Sequence, residues 1–121
     1  MNRRIFALLL AGGLISAPVS AQDDGQTAFN NSCRTCHTMK EGDNRQGPNL
    51  AGIVGRKAGS LPDYNYSSSM KQSGITWDEA NLDQFIANPD QVVSGNSMKP
   101  YGGITDAAQR KTIIGFLKKG G

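Results

Sequence analysis

One histidine, one tryptophan and two cysteines are all that the 121 residues hold of their rarer reactive side chains. With a single imidazole, His37, no pair of histidines within this chain can hold a metal from two sides. The two cysteines, Cys33 and Cys36, stand so close that a disulfide between them would close a tiny loop and constrain almost nothing. Structural zinc needs four ligands, and Cys33, Cys36 and His37 supply three at most. Strong charge of one sign is missing too. Thirteen Lys plus Arg face ten Asp plus Glu, a formal +3, which does not read as a nucleic-acid-binding surface. The uninterrupted apolar run, Ile5 to Ile15, is 11 residues, well short of the roughly 20 that cross a bilayer, so no integral membrane span is expected.

That run fits another purpose. Arg3 and Arg4 precede it and Ser16-Ala17-Pro18-Val19-Ser20-Ala21 follow it, the order of a secretory signal peptide cut after Ala21. The expected organisation is therefore a cleaved segment, 1–21, and a single exported, periplasmic domain, 22–121. Without Arg3 and Arg4 the charge excess falls from +3 to +1. A domain of about 100 residues buries only about two-thirds of the surface its unfolded chain exposes, and small exported domains usually add disulfides, a metal or a cofactor.

The periodicity predicts an all-α fold. A helix is expected from about Asp24 to Cys36, a second from Asp78 until Pro89 ends it, and a third from Thr105 or Asp106 to Lys119, with Gly120 as its stop. Between Cys36 and Trp77 lie 40 residues with little helical pattern, and another loop runs from Pro89 to Thr105. Irregular lengths of that size are rare in a compact domain unless they wrap something.

Cys33-Arg34-Thr35-Cys36-His37 names what they wrap. Spaced i, i+3 and i+4, the two sulfurs and the imidazole project from one face of a helical turn. This CxxCH run is the attachment signature of a c-type haem, with two thioether bonds from Cys33 and Cys36 and with His37 on the iron. A redox-active dithiol would call for alternating strands and helices, which the pattern lacks. Because His37 is alone, the sixth iron position falls to Met, Lys or an open site. Met39 stands two residues from His37, too near to reach the opposite haem face. Met70, in Ser67-Ser68-Ser69-Met70-Lys71, is the competitor for the sixth position, with packing near the haem edge the expected place for it. Met98 lies 61 residues beyond His37 in the polar stretch Ser94-Gly95-Asn96-Ser97-Met98-Lys99-Pro100-Tyr101, and is expected as the second axial ligand.

At this point residues 24–119 resemble a class I cytochrome c of the mitochondrial and bacterial periplasmic type. The likeness rests on CxxCH together with Gly25, Phe29, Gly47-Pro48-Asn49-Leu50, Gly55-Arg56-Lys57-Ala58-Gly59, Pro62, Tyr64, Tyr66, Gly74-Ile75-Thr76-Trp77, Asn88-Pro89 and Met98. The resemblance implies a small cytochrome c fold, with terminal helices crossing where Gly25 and Phe29 meet Ile113 and Phe116. It implies one covalently attached haem c, a hydrogen bond from His37 to the Pro48 carbonyl, and Arg56, Tyr66 and Trp77 arranged about a haem propionate. For Trp77, plain core packing remains the alternative.

The resemblance also implies function: a soluble monomer, not an enzyme, whose iron alternates between ferric and ferrous states as it passes one electron between transient redox-protein partners of the periplasm or respiratory chain. Two alternatives stand beside it. One is a dedicated cytochrome subunit of a periplasmic dehydrogenase or oxidase; the other is a small haem peroxidase or gas sensor, which needs an open sixth position. Departures from the family pattern fall at Phe85, Met70 and Asn96, each altering the hydrogen bonding expected around the methionine, and at Lys99-Pro100-Tyr101. Positions that carry a lysine ring in mitochondrial members hold Ser32, Asp90, Gln91, Ser97, Thr105 and Asp106, leaving Arg45 and Lys99 as scattered basic residues. A partner with little charge at the contact is expected.

Overall fold

A computed structural model describes Gly12 and residues 21–121, without the side chains of 21–23. The expected signal segment, 1–21, thus lies almost wholly outside the described residues. Among the described residues five helices follow in order: α1 Ala21–Ser32, α2 Ser68–Lys71, α3 Glu79–Ala87, α4 Pro89–Val92 and α5 Ala107–Lys119. Among the described residues the only β pairing is an isolated antiparallel bridge between Lys57 and Thr76. It joins two loop segments that also share the bonds Gly55 N–H to Trp77 O, 2.7 Å, and Ala58 N–H to Ile75 O, 2.8 Å.

The frame is the crossing of α1 and α5. Gly25 makes it possible: a Cβ there would stand 2.8 Å from the Phe116 Cβ and 3.2 Å from the Thr112 carbonyl oxygen. One turn further along, the rings of Phe29 and Phe116 meet with centroids 5.1 Å apart. α3 packs on α5 beside this crossing, so that Leu82, Phe85 and Ile86 join Ile113, Ile114 and Leu117 in one buried core. Arg110 on α5 donates from Nε to Asp83 on α3 at 2.8 Å, pinning the two helices at the core's rim.

Local chemistry sets the ends of these helices. Asp78 caps α3 by accepting from the Asn81 backbone N–H, while the Asn81 side chain accepts from the Asp78 N–H, a reciprocal capping box. Asp106 caps α5 by accepting from Ala108 and Gln109, and Gly120, at φ 87°, closes it in the left-handed conformation that favours glycine. Three expectations need correction. α1 stops at Ser32: the Cys33 N–H still makes the helical bond to the Phe29 carbonyl, but the Arg34 N–H reaches that same oxygen instead of the Asn30 carbonyl, and the haem-attachment run then forms a separate turn. Pro89 not only ends α3 but opens α4, since its fixed φ and missing N–H suit the first helical position. The long central loop also contains one helical turn, α2, capped by Ser67.

Candidate functional site

The turn after α1 keeps the spacing the chemistry needs. His37 N–H donates to the Cys33 carbonyl at 3.0 Å and Cys36 N–H to the same oxygen at 3.2 Å, so residues 33, 36 and 37 hold helical register for one turn outside the helix. Cys33 and Cys36 form no disulfide with each other. Before any bond to a cofactor forms, burial, with Cys36 beside it, raises the Cys33 thiol to about 11.

His37 is 7% exposed. Its Nδ1 lies 2.8 Å from the Pro48 carbonyl oxygen. A carbonyl only accepts, so Nδ1 carries the proton and Nε2 keeps its lone pair for another atom. Burial pushes the imidazole below its ordinary pKa, and the Pro48 bond, which suits either charge state, offsets this only in part; the ring is neutral at pH 7. Gly47 leaves the ring its space, because a Cβ there would fall on the imidazole. The resemblance had named Pro48 as the acceptor, and the geometry places it there.

Beside the ring opens a cleft whose mouth reaches solvent. Cys33, Cys36 and His37 line it together with Met98, and the walls between are mostly apolar, including Leu50, Ile53, Trp77, Leu82, Phe85 and Ile113. Met70 also lines the cleft, whereas Met39 does not; Met39 packs beneath, near Gly121 and Phe116.

The polar residues expected near a propionate are found at one side of the cleft. Arg56 and Tyr66 both line it, as does Trp77, whose ring lies 5.0 Å from that of Phe85. The Arg56 guanidinium donates to the main-chain carbonyls of Asn49, at 2.7 Å, and Ala51. The Tyr66 hydroxyl accepts from the Leu61 N–H at 3.4 Å. Trp77 is 6% exposed and belongs to the core, so packing and a place at the cleft hold together.

Asn49, Tyr64 and Tyr101 were named from the sequence as matching or departing positions, and the structure adds their contacts. Asn49 is buried, with its backbone and side-chain N–H groups both donating to Asn44 Oδ1 at 2.9 and 2.8 Å; this holds the loop that follows Pro48. Tyr64 donates to the Gln46 carbonyl and ties the central loop to the rim beside Cys36. Tyr101 lines the cleft and donates to the Ile86 carbonyl, and burial pushes its hydroxyl up to about 12. A single asparagine in a Gly-Pro-Asn loop gives no sequence signal of such burial. Asn96, noted only as a departure, is fixed between α4 and Met98.

Two free thiols, a neutral imidazole with an open Nε2 and a thioether around one apolar cleft form a donor set that fits haem c. Comparison with known proteins agrees. The sequence profile of the family described as Cytochrome c matches residues 22–120. Cytochrome c2 iso-1 of Magnetospirillum fulvum is 43% identical over 96 residues, spanning 78% of this chain and 96% of its own. Cytochrome c-550 of Bradyrhizobium diazoefficiens is 41% identical over 78% of this chain and 69% of its own. Among solved structures, cytochrome cH from Methylobacterium extorquens aligns with a TM-score of 0.73 at 40% identity, covering 79% of this chain and 95% of that one. The chain belongs to the cytochrome c family, electron-transfer proteins rather than enzymes, and its cofactor is one covalently attached haem c.

Proposed function

We propose that Cys33 and Cys36 form the haem thioethers, that His37 and Met98 are the axial iron ligands, and that the domain 22–121 works as an exported, monomeric one-electron shuttle. Convergence of these four side chains on one apolar cleft is the observation that carries the reading. Haem c supplies an iron that gains or loses a single electron.

The chain's own residues prepare the rest. The Pro48 carbonyl orients the His37 ring and keeps Nε2 basic. Met98 contributes a neutral thioether, and the surrounding Leu, Ile, Phe and Trp side chains exclude water; both favour the less charged, reduced state and so raise the potential. Arg56 and Tyr66, with the Trp77 indole N–H as a further donor, would supply the partners that a propionate charge needs. Export, periplasmic location and cleavage after Ala21 are supported by the order of Arg3-Arg4, apolar run and small residues, and by a family match that begins at residue 22. Donor and acceptor are redox proteins of the periplasm or respiratory chain met transiently.

The test is expression of the full chain in a host with cytochrome c maturation machinery. Colour that stays with the protein after acid-acetone extraction, together with the weak near-infrared sulfur-to-iron band in the ferric state, is expected. Met98→Ala should abolish the band and keep the colour. Persistence of the band in Met98→Ala would transfer the ligand role to Met70, and a colourless folded product would return Cys33 and Cys36 to thiol chemistry. Gel filtration of native extract separates a free shuttle from a bound subunit.

A further inference from the structure

The stretch that carries Met98 has no helix and no strand, and three of its residues, Ser94, Gly95 and Ser97, are small and exposed. Its own backbone bonds are few, Asn96 N–H to the Val93 carbonyl at 3.1 Å and Lys99 N–H to the Ser97 carbonyl at 2.9 Å. Yet Asn96 within it is 5% exposed. Its Nδ2 donates to Asp90 Oδ1 and to the Val93 carbonyl, each at 2.9 Å, so both amide protons are used. Its Oδ1 accepts the backbone N–H of Met98, also at 2.9 Å. On the far side of Met98, Lys99 Nζ reaches the same Asp90 Oδ1 at 2.6 Å. Asp90 sits in the first turn of α4, next to buried Pro89 and so anchored to the end of α3. The residues flanking Met98 by two and by one are therefore both tied to one carboxylate oxygen on a fixed helical turn.

We infer that Asn96, held by Asp90, is a positioning residue that presents the Met98 thioether to the iron and limits how often Met98 swings away. The inference rests on the assignment of Met98 as a ligand. Asn96 outweighs the ion pair in this clasp. The Asp90 and Lys99 side chains are 60% and 53% exposed, where solvent screens most of their attraction, while the Asn96 bonds are sheltered.

The experiment uses the haem-loaded ferric protein and follows imidazole binding by stopped flow at saturating imidazole, where displacement of Met98 sets the rate. Asn96→Ala should raise that rate about tenfold, Asp90→Ala about threefold, and Lys99→Ala by less than twofold, following the energies of one sheltered or one exposed hydrogen bond. A conservative variant provides the rescue. Asp90→Asn keeps a side-chain oxygen that can accept from Asn96 Nδ2 and should hold the rate below that of Asp90→Ala, within about twofold of the original. Gly25→Ala, which weakens the distant α1–α5 crossing, should leave the rate unchanged.

Rates within twofold of the original for Asn96→Ala, or an equal acceleration by Gly25→Ala, would overturn the clasp. If Asn96→Ala does not take up haem, Asp90→Ala decides by the same measure. Absence of the near-infrared band from the unmodified protein is a separate signature, which removes Met98 as ligand and the clasp with it.

Discussion

His37 rests against Gly47 on one side and hydrogen-bonds the Pro48 carbonyl on another, and a Cβ at 47 would fall on the ring. Gly47→Ala should push the ring off Pro48. The expected outcome is poor haem incorporation and a lowered reduction potential in whatever holoprotein forms, read by visible yield and redox titration. Asp43 offers a second test on the same loop. Arg45 donates to both its carboxylate oxygens, at 2.9 and 3.2 Å, and holds the carboxyl below the usual aspartate range. Its contribution to stability is complete above about pH 4, the unfolded value, and is lost as pH falls through the lower native value. Asp43→Asn should therefore unfold at a lower temperature near pH 5 but converge on the original protein as pH drops toward about 2, seen by thermal melts across that range. At this scale the sequence was readable wherever a residue has one chemical use. Cys33, Cys36 and His37 identify themselves by spacing. Asn49 and Asn96 did not, because an asparagine in a polar loop looks solvated until the fold buries it and supplies its partners.

Helix ends were legible to about a residue where a side chain caps them. The sequence put the start of α3 near Asp78, the cap of α5 at Thr105 or Asp106 and its stop at Gly120; the caps found are Asp78, Asp106 and Gly120. The end of α1 was not legible, since its apolar spacing continues smoothly through Cys33 and Cys36 while the backbone bonds do not. α4 escaped for a related reason: Pro89 signals a stop and a start at once, and four residues are too few to show a period. The crossing of α1 and α5 allows a paired prediction. Gly25→Ala places a methyl against Phe116 Cβ and the Thr112 carbonyl, so the backbones must separate; a loss of about 1–3 kcal/mol is expected in urea unfolding of the holoprotein. Gly115, on α5 but exposed, would put its methyl in open space. Gly115→Ala should stabilise by about 0.5–1 kcal/mol through helix propensity alone. Opposite signs for the same substitution on two crossing helices separate close approach from propensity.

Over the whole molecule, charge is scattered rather than gathered. The four ion pairs among the described residues, Arg45–Asp43, Lys99–Asp90, Arg110–Asp83 and Lys118–Glu79, each pair a cation with an anion at the surface or its margin. The cleft mouth has Lys99 on its rim, but Asp90 already neutralises it. Residues 22–121 carry an excess of only +1, and two haem propionates bring the holoprotein close to neutral or slightly negative. Long-range steering grows with the product of the charges that meet and is removed when salt shortens the screening length from about 30 Å at 0.01 M to about 3 Å at 1 M. Electron self-exchange brings two copies of this protein together, so the product of their net charges is small. The self-exchange rate, taken from line broadening in NMR spectra of mixed ferric and ferrous protein, should change by less than about threefold across that range of salt. A rise of tenfold or more with salt would mean that like charges cluster around the electron-exit edge despite the neutral total, and would place Arg45 and Lys99 among the residues to reverse first.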